Sequence, residues 1–549
     1  MEQIPSFNEI IEKSIVNNWE RDALSDYKGA TLQYHDVARK IEKLHILFEN
    51  SGIGRGDKIA LCGRNSANWA VAFLATLTYG AIAVPILHEF TAEQVHNIVN
   101  HSEAKLLFVG DVVATTIDGT KMPGLEGIIY IPDYSLVISR TDQLTFAREH
   151  LNEMFGKKYP KYFRKEHVHY YVDRNADELA MINYTSGTTG FSKGVMLPYR
   201  ALWSNMDFIN EKIGTHLTRG SKVLSILPMA HMYGQLVEFI FEFCFGNHIY
   251  FLTRLPSPSL IAEAIAEIKP AVVISVPLIV EKIIRKKVFP IVQTNKVRLL
   301  MNMPVINKKV KERICETVKE AFGGNAYEVV VGGASLNKEI EEFLVSIDFP
   351  ITVGYGTTET APMITFSDWK DFVPGSCGTA ATRMEVKVAS PDPQNIPGEI
   401  ITRGPNVMLG YYKNEEATRK VLDEDGWFHT GDLGTMSADG HIFINGRIKN
   451  MLLGSNGQNV YPEEIENLLN SMTMVNESLV IQDGEKIVGL VYPDYEEAHA
   501  LDLTEEDLHK IMEQNRQELN AQLPPFCKLS TIRLRTEEFE KTPKKSIKR

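Results

Sequence analysis

A chain of 549 residues can hold two or more domains with large cores, and 44% hydrophobic with 23% charged content is ordinary for a folded protein. The formal net charge of −12 argues against a broad nucleic-acid-binding face, which needs a basic surface, but leaves nucleotide binding open, because that needs only local positive charge. Five scattered cysteines (Cys62, Cys244, Cys315, Cys377, Cys527), with no C-x-x-C and no partnering histidines, argue against structural zinc and suit reduced thiols in a cytoplasmic protein.

At the start, Met1-Glu-Gln-Ile-Pro-Ser lacks the basic and apolar regions of a signal peptide. Trp69 to Leu87 carries no charge and by length alone would admit a membrane span. Gly80 and Pro85 interrupt it, so a helix from about Asn68 to Tyr79 followed by the strand Ala81–Ile86, one βαβ unit of a buried sheet, is the preferred reading. Ala104–Val109 predicts a further strand, and Glu178–Tyr184 another, which feeds the segment Tyr184-Thr-Ser-Gly-Thr-Thr-Gly-Phe-Ser-Lys-Gly194. Gly187, Gly190 and Gly194 let the backbone turn tightly there; Thr185, Ser186, Thr188 and Thr189 add hydroxyl donors, and Lys193 adds a point charge. These are the parts of a polyphosphate cradle, although an ordinary polar turn has the same composition. A Walker A loop is excluded, because Lys193 follows Phe191 and Ser192 instead of a glycine.

Strands over 221–227, 271–276 and 327–331, with a helix over 259–268, continue an α/β pattern that runs from about residue 56 to 360. Residues about 373–445 change to short β-rich runs (384–388, 398–402, 441–444) separated by Gly/Pro/Asp turns, a small β-subdomain. From Gly446 the chain is more charged, with amphipathic helices at 462–469 and near 504–523. The expectation is an α/β protein: a large N-terminal domain over 1–445, built of βαβ-layered sheets plus the β-subdomain, and a smaller α+β C-terminal lid over 446–549.

Five clusters follow the glycine loop in a fixed order: Leu227-Pro-Met-Ala-His-Met-Tyr-Gly234, Gly332-Gly-Ala334, Gly354-Tyr-Gly-Thr-Thr-Glu-Thr360, Trp427-Phe-His-Thr-Gly-Asp432, and Gly446-Arg-Ile-Lys449 with Gly457-Gln-Asn-Val-Tyr-Pro-Glu-Glu-Ile-Glu466. Each alone is weak, but together they resemble the adenylate-forming superfamily of acyl-CoA synthetases, amino-acid adenylation domains and firefly-type luciferases. The resemblance runs from about residue 30 to the C-terminus, with Ser192 where proline is common. Ser455–Glu466 and Ser275–Lys282 look most like long-chain fatty acyl-CoA synthetases.

The resemblance implies an AMP-forming ligase that uses ATP, Mg2+ and CoA to activate a medium- or long-chain fatty acid. The loop Thr185–Lys193, with Ser186, Gly187, Thr188, Thr189 and Gly190, would hold the β- and γ-phosphates. Glu359, with Thr185, would hold Mg2+ within Tyr355-Gly356-Thr357-Thr358. Asp432 would accept from the ribose hydroxyls, and Arg447 would contact ribose or phosphate. Gly332, Gly333 and Ala334 would let backbone approach adenine, with Tyr355 stacked on it. His231 would gate or orient the carboxylate. No Asp stands beside it to pair an α-amino group, which argues against amino-acid substrates. Met232, Tyr233, Val237, Phe241, Ile274, Val276 and Pro277 suit an acyl tail or plain core equally.

For the second half-reaction the lid would rotate about Lys449, and the Gly457 segment would line the pantetheine path. One departure stands out. The family's adenylating lysine falls on Ser546 in Lys541-Thr-Pro-Lys-Lys-Ser-Ile-Lys-Arg549, and Lys545, one residue earlier, is the nearest substitute. That departure leaves open a nucleotide- and lipid-binding protein with impaired adenylation, and a carrier protein stays open as acyl acceptor. Peripheral membrane contact and a homodimer stay open as well, while nucleic acid is not an expected partner.

Overall fold

The computed structural model describes residues 5–185, 192–292, 307–453, 459–484, 486–541 and 547–549. Among these, the largest sheet has eight strands in the order Gly410–Tyr411, Lys193–Pro198, Leu179–Thr185, Ile82–Ile86, Lys58–Cys62, Ala104–Val109, Gly127–Tyr130 and Leu136–Ser139. Its centre is parallel and its two ends antiparallel. Apolar runs such as Ile82-Ala-Val-Pro-Ile86 are buried along their whole length, as central strands covered on both faces must be.

The uncharged stretch resolves into the helix Ala67–Tyr79 and the strand Ile82–Ile86. Ser66 caps the helix by accepting from the Trp69 N–H, and Gly80 ends it at φ 85°, a left-handed conformation natural to glycine. The helix is apolar all round because it is buried all round: Trp69, Phe73 and Leu77 are 0% exposed. No described helix is long and apolar enough to cross a membrane.

A second sheet joins Lys222–Ser225, His248–Phe251, Asp22–Asp26 and Thr31–Gln33. Its first strand stops short of the apolar run 221–227 that predicts it. The N–H groups of Ile226 and Leu227 donate to the buried Glu238 carboxylate, at 3.0 and 2.9 Å, instead of extending the ladder. A third, parallel sheet joins Val273–Ser275, Val329–Val331 and Ile351–Val353. Just past the carboxyl ends of these strands come Val276-Pro277, Gly332-Gly333 and Gly354-Tyr355. Ligands bind outside the carboxyl ends of strands in open parallel sheets, so the topology itself delivers the glycine clusters to one crevice.

Glu385–Ala389, Gly398–Arg403, Phe428–Met436 and Ile442–Arg447 form an antiparallel four-stranded sheet within the β-rich stretch. Beyond it, Val475–Asp483, Lys486–Pro493 and Thr531–Leu534 pack with the helices Pro462–Leu469 and Glu505–Gln522. Their apolar core, from Val460 and Ile465 to Leu519 and Leu529, is a cluster of its own. The fold is thus α/β, with a large N-terminal domain of mixed sheets and a smaller C-terminal domain.

Candidate active site

One continuous cavity of about 3410 Å3 runs along the crevice and is lined by residues of both domains. Thr185, Lys193, His231, Gly332, Gly333, Ala334, Tyr355, Gly356, Thr357, Thr358, Glu359, Asp432, Arg447 and Lys449, the described residues that the sequence assigns to catalysis, nucleotide or metal, all border it. Ser186, Gly187, Thr188, Thr189, Gly190, Gly457 and Lys545 lie outside the described residues.

At one end, Thr185 and Lys193 face each other as partners in the antiparallel pair that flanks the glycine loop. The Lys193 ammonium sits 4.7 Å from the centre of the Tyr411 ring, and the Tyr411 hydroxyl donates to Oε1 of Glu359 at 2.8 Å. Glu359 rides on a single tight turn, Thr358–Thr360, closed by the Thr357 N–H donating to Oγ1 of Thr360 at 3.2 Å and by the Thr360 hydroxyl donating to the Pro362 carbonyl at 2.7 Å. The Glu359 carboxylate and the Thr185 hydroxyl are hard oxygen donors of the kind Mg2+ takes. Among the described residues no group of three or more His, Cys, Asp or Glu could hold a metal ion. A magnesium ion here would be held by Glu359 with Thr185, and such ions usually complete their shell with phosphate oxygens and water at nucleotide sites. The donor set fits that ion.

Further along, both oxygens of the Asp432 carboxylate are engaged. The Tyr355 hydroxyl donates to Oδ2 at 2.7 Å, and Arg447 Nε lies 3.0 Å from Oδ1. Burial holds the Asp432 carboxyl above its ordinary range, while Arg447 and Tyr355 pull it back. The turn that carries Asp432 is fixed from below by Glu399, whose Oε1 accepts from the Gly431 N–H at 3.0 Å and whose Oε2 lies 2.8 Å from His429 Nδ1. The two glycines opposite serve different ends. Gly333 stands at φ 85° with open space around its missing side chain, whereas a Cβ on Gly332 would lie 2.9 Å from the Tyr233 ring. Gly332 is therefore a packing requirement as much as an approach to a ligand.

His231 lies in the connection between the strand Lys222–Ser225 and a wide, π-type helix, Gly234–Ile240. Its Nδ1 accepts from the Tyr233 N–H at 3.3 Å, which puts the proton of the neutral ring on Nε2. Two residues without a sequence signal hold this segment. Asn65 donates to the Leu227 carbonyl at 2.7 Å and accepts from the Met229 N–H at 2.9 Å. Glu238 takes the Ile226 and Leu227 amides together with the Ser225 hydroxyl, at 3.1 Å for the last. The cavity wall also carries an apolar set, Met232, Tyr233, Val237, Val276 and Pro277 with Ile226, Leu252, Ile261 and Phe289, beside the charged Glu281 and Lys282. Phe241 and Ile274 are buried in the main core and do not border the cavity, so for these two the plain-core reading holds.

On the C-terminal side, Lys449 sits in a short turn, Ile448–Asn450, directly after Arg447. Burial and the neighbouring Arg447 hold its ammonium below the usual range. At the far end of the chain, Arg549 donates to Oε2 of Glu466 at 2.5 Å and to the Val480 carbonyl at 3.2 Å, so the tail is anchored to the helix Pro462–Leu469 and the adjacent strand.

A family model described as AMP-binding enzyme matches residues 11–412, and one described as AMP-binding enzyme C-terminal domain matches residues 449–549. The chain is similar to the human protein named Long-chain-fatty-acid–CoA ligase ACSBG2, at 27% identity over 485 residues, covering 84% of this chain and 71% of that protein. It is equally similar to Long-chain-fatty-acid–CoA ligase FadD15 of Mycobacterium bovis, at 27% identity over 474 residues, covering 83% and 76%. Among solved structures, the anthranilate CoA ligase AuaEII in complex with anthranoyl-AMP matches with a TM-score of 0.78 at 20% identity, covering 100% of this chain and 96% of that one. A Mycobacterium tuberculosis fatty acyl CoA synthetase matches with a TM-score of 0.65 at 20% identity, covering 100% and 97%. These two likenesses are likenesses of fold.

Proposed function

The chain belongs to the AMP-binding enzyme family, and from that premise we propose that it activates a medium- or long-chain fatty acid as acyl-adenylate and passes the acyl group to CoA. The observation that carries this reading is the continuity of the cavity. Lys193, Glu359 and Asp432 share its lining with His231 and with the apolar Ile226, Val237, Leu252, Ile261 and Phe289. A site that must bring a carboxylate to a triphosphate and bury a hydrocarbon tail needs both ends in one space.

In the first step a carboxylate oxygen of the fatty acid attacks the α-phosphorus of ATP. The bond from that phosphorus to the bridging oxygen breaks, and pyrophosphate leaves with the electron pair. Two anions must meet, so the protein's contribution is positioning and charge neutralisation. Lys193 would neutralise the β- and γ-phosphates, Asp432 would accept from the ribose hydroxyls, and Tyr355, held by its own hydroxyl, would present its ring to adenine. The His231 Nε2–H would donate to the carboxylate oxygen that does not attack. Mg2+, when bound by Glu359 and Thr185, supplies further neutralisation of phosphate charge. In the second step the thiolate of CoA attacks the acyl carbonyl carbon and AMP leaves, after the C-terminal domain has turned about Lys449.

The test is a panel of fatty acids from short to long, scored by ATP–pyrophosphate exchange and by AMP release with CoA. Exchange with long chains and thioester formation with CoA are expected. No exchange with any chain length would overturn the reading. A second reading rests on Ser546, which stands where the family has its adenylating lysine: a nucleotide- and lipid-binding protein with weak adenylation, recognised by tight ATP binding without exchange. Exchange with product formed only on a carrier protein would identify an acyl-AMP ligase.

A further inference from the structure

Tyr411 carries no chemistry that the reaction requires, yet it stands between the two charged groups at the polyphosphate end. Its segment is tied to both of them through backbone. The Met408 N–H donates to the carbonyl of Glu359 at 2.9 Å, and the Tyr412 N–H donates to the carbonyl of Gly194, next to Lys193, at 2.7 Å. Between these ties Gly410 and Tyr411 pair with Met196 and Val195, and the Tyr411 N–H donates to Oγ1 of Thr418 at 2.9 Å. The residue is 6% exposed. A phenylalanine would fill the same space, so packing alone does not call for the hydroxyl. That hydroxyl donates to Oε1 of Glu359 at 2.8 Å, while the ring face carries the Lys193 ammonium at 4.7 Å.

Resting on the function proposed above, we propose that Tyr411 is a positioning residue: its hydroxyl orients the Glu359 carboxylate for a divalent cation, and its ring places Lys193 for the phosphates. The hydroxyl is a dependable donor. It has one proton to give, and the Glu359 carboxylate is the acceptor that takes it. The bond to Oε1 restrains how the carboxylate turns, and Glu359 lines the cavity. Partners of this kind, one bond removed from the metal, fix ligand orientation and are usually worth roughly ten- to a hundredfold in metal affinity.

The experiment titrates Mg2+ against binding of a fluorescent ATP analogue to the full chain, with no acyl substrate present. Tyr411→Phe should raise the half-saturating Mg2+ concentration roughly ten- to a hundredfold, with analogue binding in EDTA and the melting temperature unchanged. In a Glu359→Gln background the same change should add nothing. Tyr411→Leu should also weaken binding in EDTA, because Lys193 loses its support. A half-saturation point in Tyr411→Phe within twofold of wild type, or an equal shift in both backgrounds, would make Tyr411 a packing residue and overturn the proposal. Fatty-acid activation plays no part in this readout. A wild-type protein that binds Mg2+ and nucleotide normally but never exchanges pyrophosphate would overturn the function and leave this inference standing. One that binds no nucleotide in the presence of Mg2+ would overturn both.

Discussion

Tyr355 donates its hydroxyl to Oδ2 of Asp432 at 2.7 Å, across 77 residues of sequence. The bond joins the Gly354–Thr360 turn to the β-rich sheet, and with Arg447 on Oδ1 it fixes both oxygens of a carboxylate that burial would otherwise push toward its neutral form. In the proposed ribose contact an ionised Asp432 is the stronger acceptor, and protonation turns one of its oxygens into a donor. ATP affinity should therefore fall as pH drops through its raised pKa. Tyr355→Phe removes a group that lowers that pKa, so in this variant the fall should come at higher pH. At neutral pH the KM for ATP should rise as well, because without the Tyr355 bond the carboxyl is more readily protonated and less firmly placed. The measurement is KM for ATP against pH in both proteins; superimposable profiles would mean that the bond does not tune Asp432.

Lys193 and Glu359 are expected to act on the reaction and little on the fold, since Lys193 is exposed and Glu359 half-buried. Lys193→Ala and Glu359→Ala should each cost about a hundred- to a thousandfold in ATP–pyrophosphate exchange, typical of losing one group that stabilises developing charge. Melting temperatures should stay within a few degrees of wild type. Near-normal exchange in both variants would remove the phosphate-site assignment.

What could be read from the chain, and what could not, divides along a physical line. Glycine clusters and the charges beside them are legible because their chemistry is local: Gly332-Gly333, Glu359 and Asp432 each sit in a short recognisable run. The helix and strand at 67–86 follow from Gly80, Pro85 and apolar length alone. The residues that hold the site in shape are invisible for the opposite reason. Asn65 reaches Leu227 across 162 positions, and Tyr411 reaches Glu359 across 52, with nothing in their immediate neighbours to mark them. The early end of the strand at Ser225 is of the same kind, because a buried glutamate on the next helix takes amides that the apolar pattern assigns to a ladder.

Buried carboxyls should make the protein less stable as pH rises. Burial pushes Glu341 up to about 7 and Glu242 up to about 8 in the folded state, against ordinary values near 4.5. A carboxyl with a raised folded pKa keeps a proton that the unfolded chain has already released. Its stabilising contribution is complete below the ordinary value and is lost as pH climbs through 7 and 8. Calorimetric melting temperatures should decline from pH 5 to pH 8. Glu341→Gln, which can still accept the Gly375 N–H, should flatten part of that decline. An unchanged slope would show that Glu341 does not contribute to it.

Lys449 is the proposed pivot between the half-reactions. Lys449→Pro fixes one backbone angle and should hold the C-terminal domain in a single orientation. Acyl-adenylate formation should then persist within a few-fold while thioester formation drops by two orders of magnitude or more, a scale set by the size of single-group effects in catalysis. Lys449→Ala serves as control for loss of the ammonium and should spare both steps comparatively. Equal loss of the two half-reactions, measured separately, would place the pivot elsewhere.

The last expectation concerns the lysine that the tail lacks. Lys541 and Ile547 pair directly, and Arg549 is bound to Glu466. In the sequence, ungapped matching to the family pattern puts Ser546 where its lysine is expected, with Lys545 one residue earlier and Lys544 and Lys548 nearby in the chain. If Lys545 has taken the role, Lys545→Ala should depress adenylation about a hundredfold or more, as loss of a charge-stabilising group does. It should leave CoA attack on supplied acyl-adenylate nearly untouched, since the lysine would meet substrate only in the adenylating orientation. Lys545→Gly with Ser546→Lys should restore the rate, because it returns the ammonium to the family register. If neither change moves pyrophosphate exchange, the basic tail is a solvated end. The first half-reaction then depends on Lys193, Arg447 and the metal for all of its positive charge.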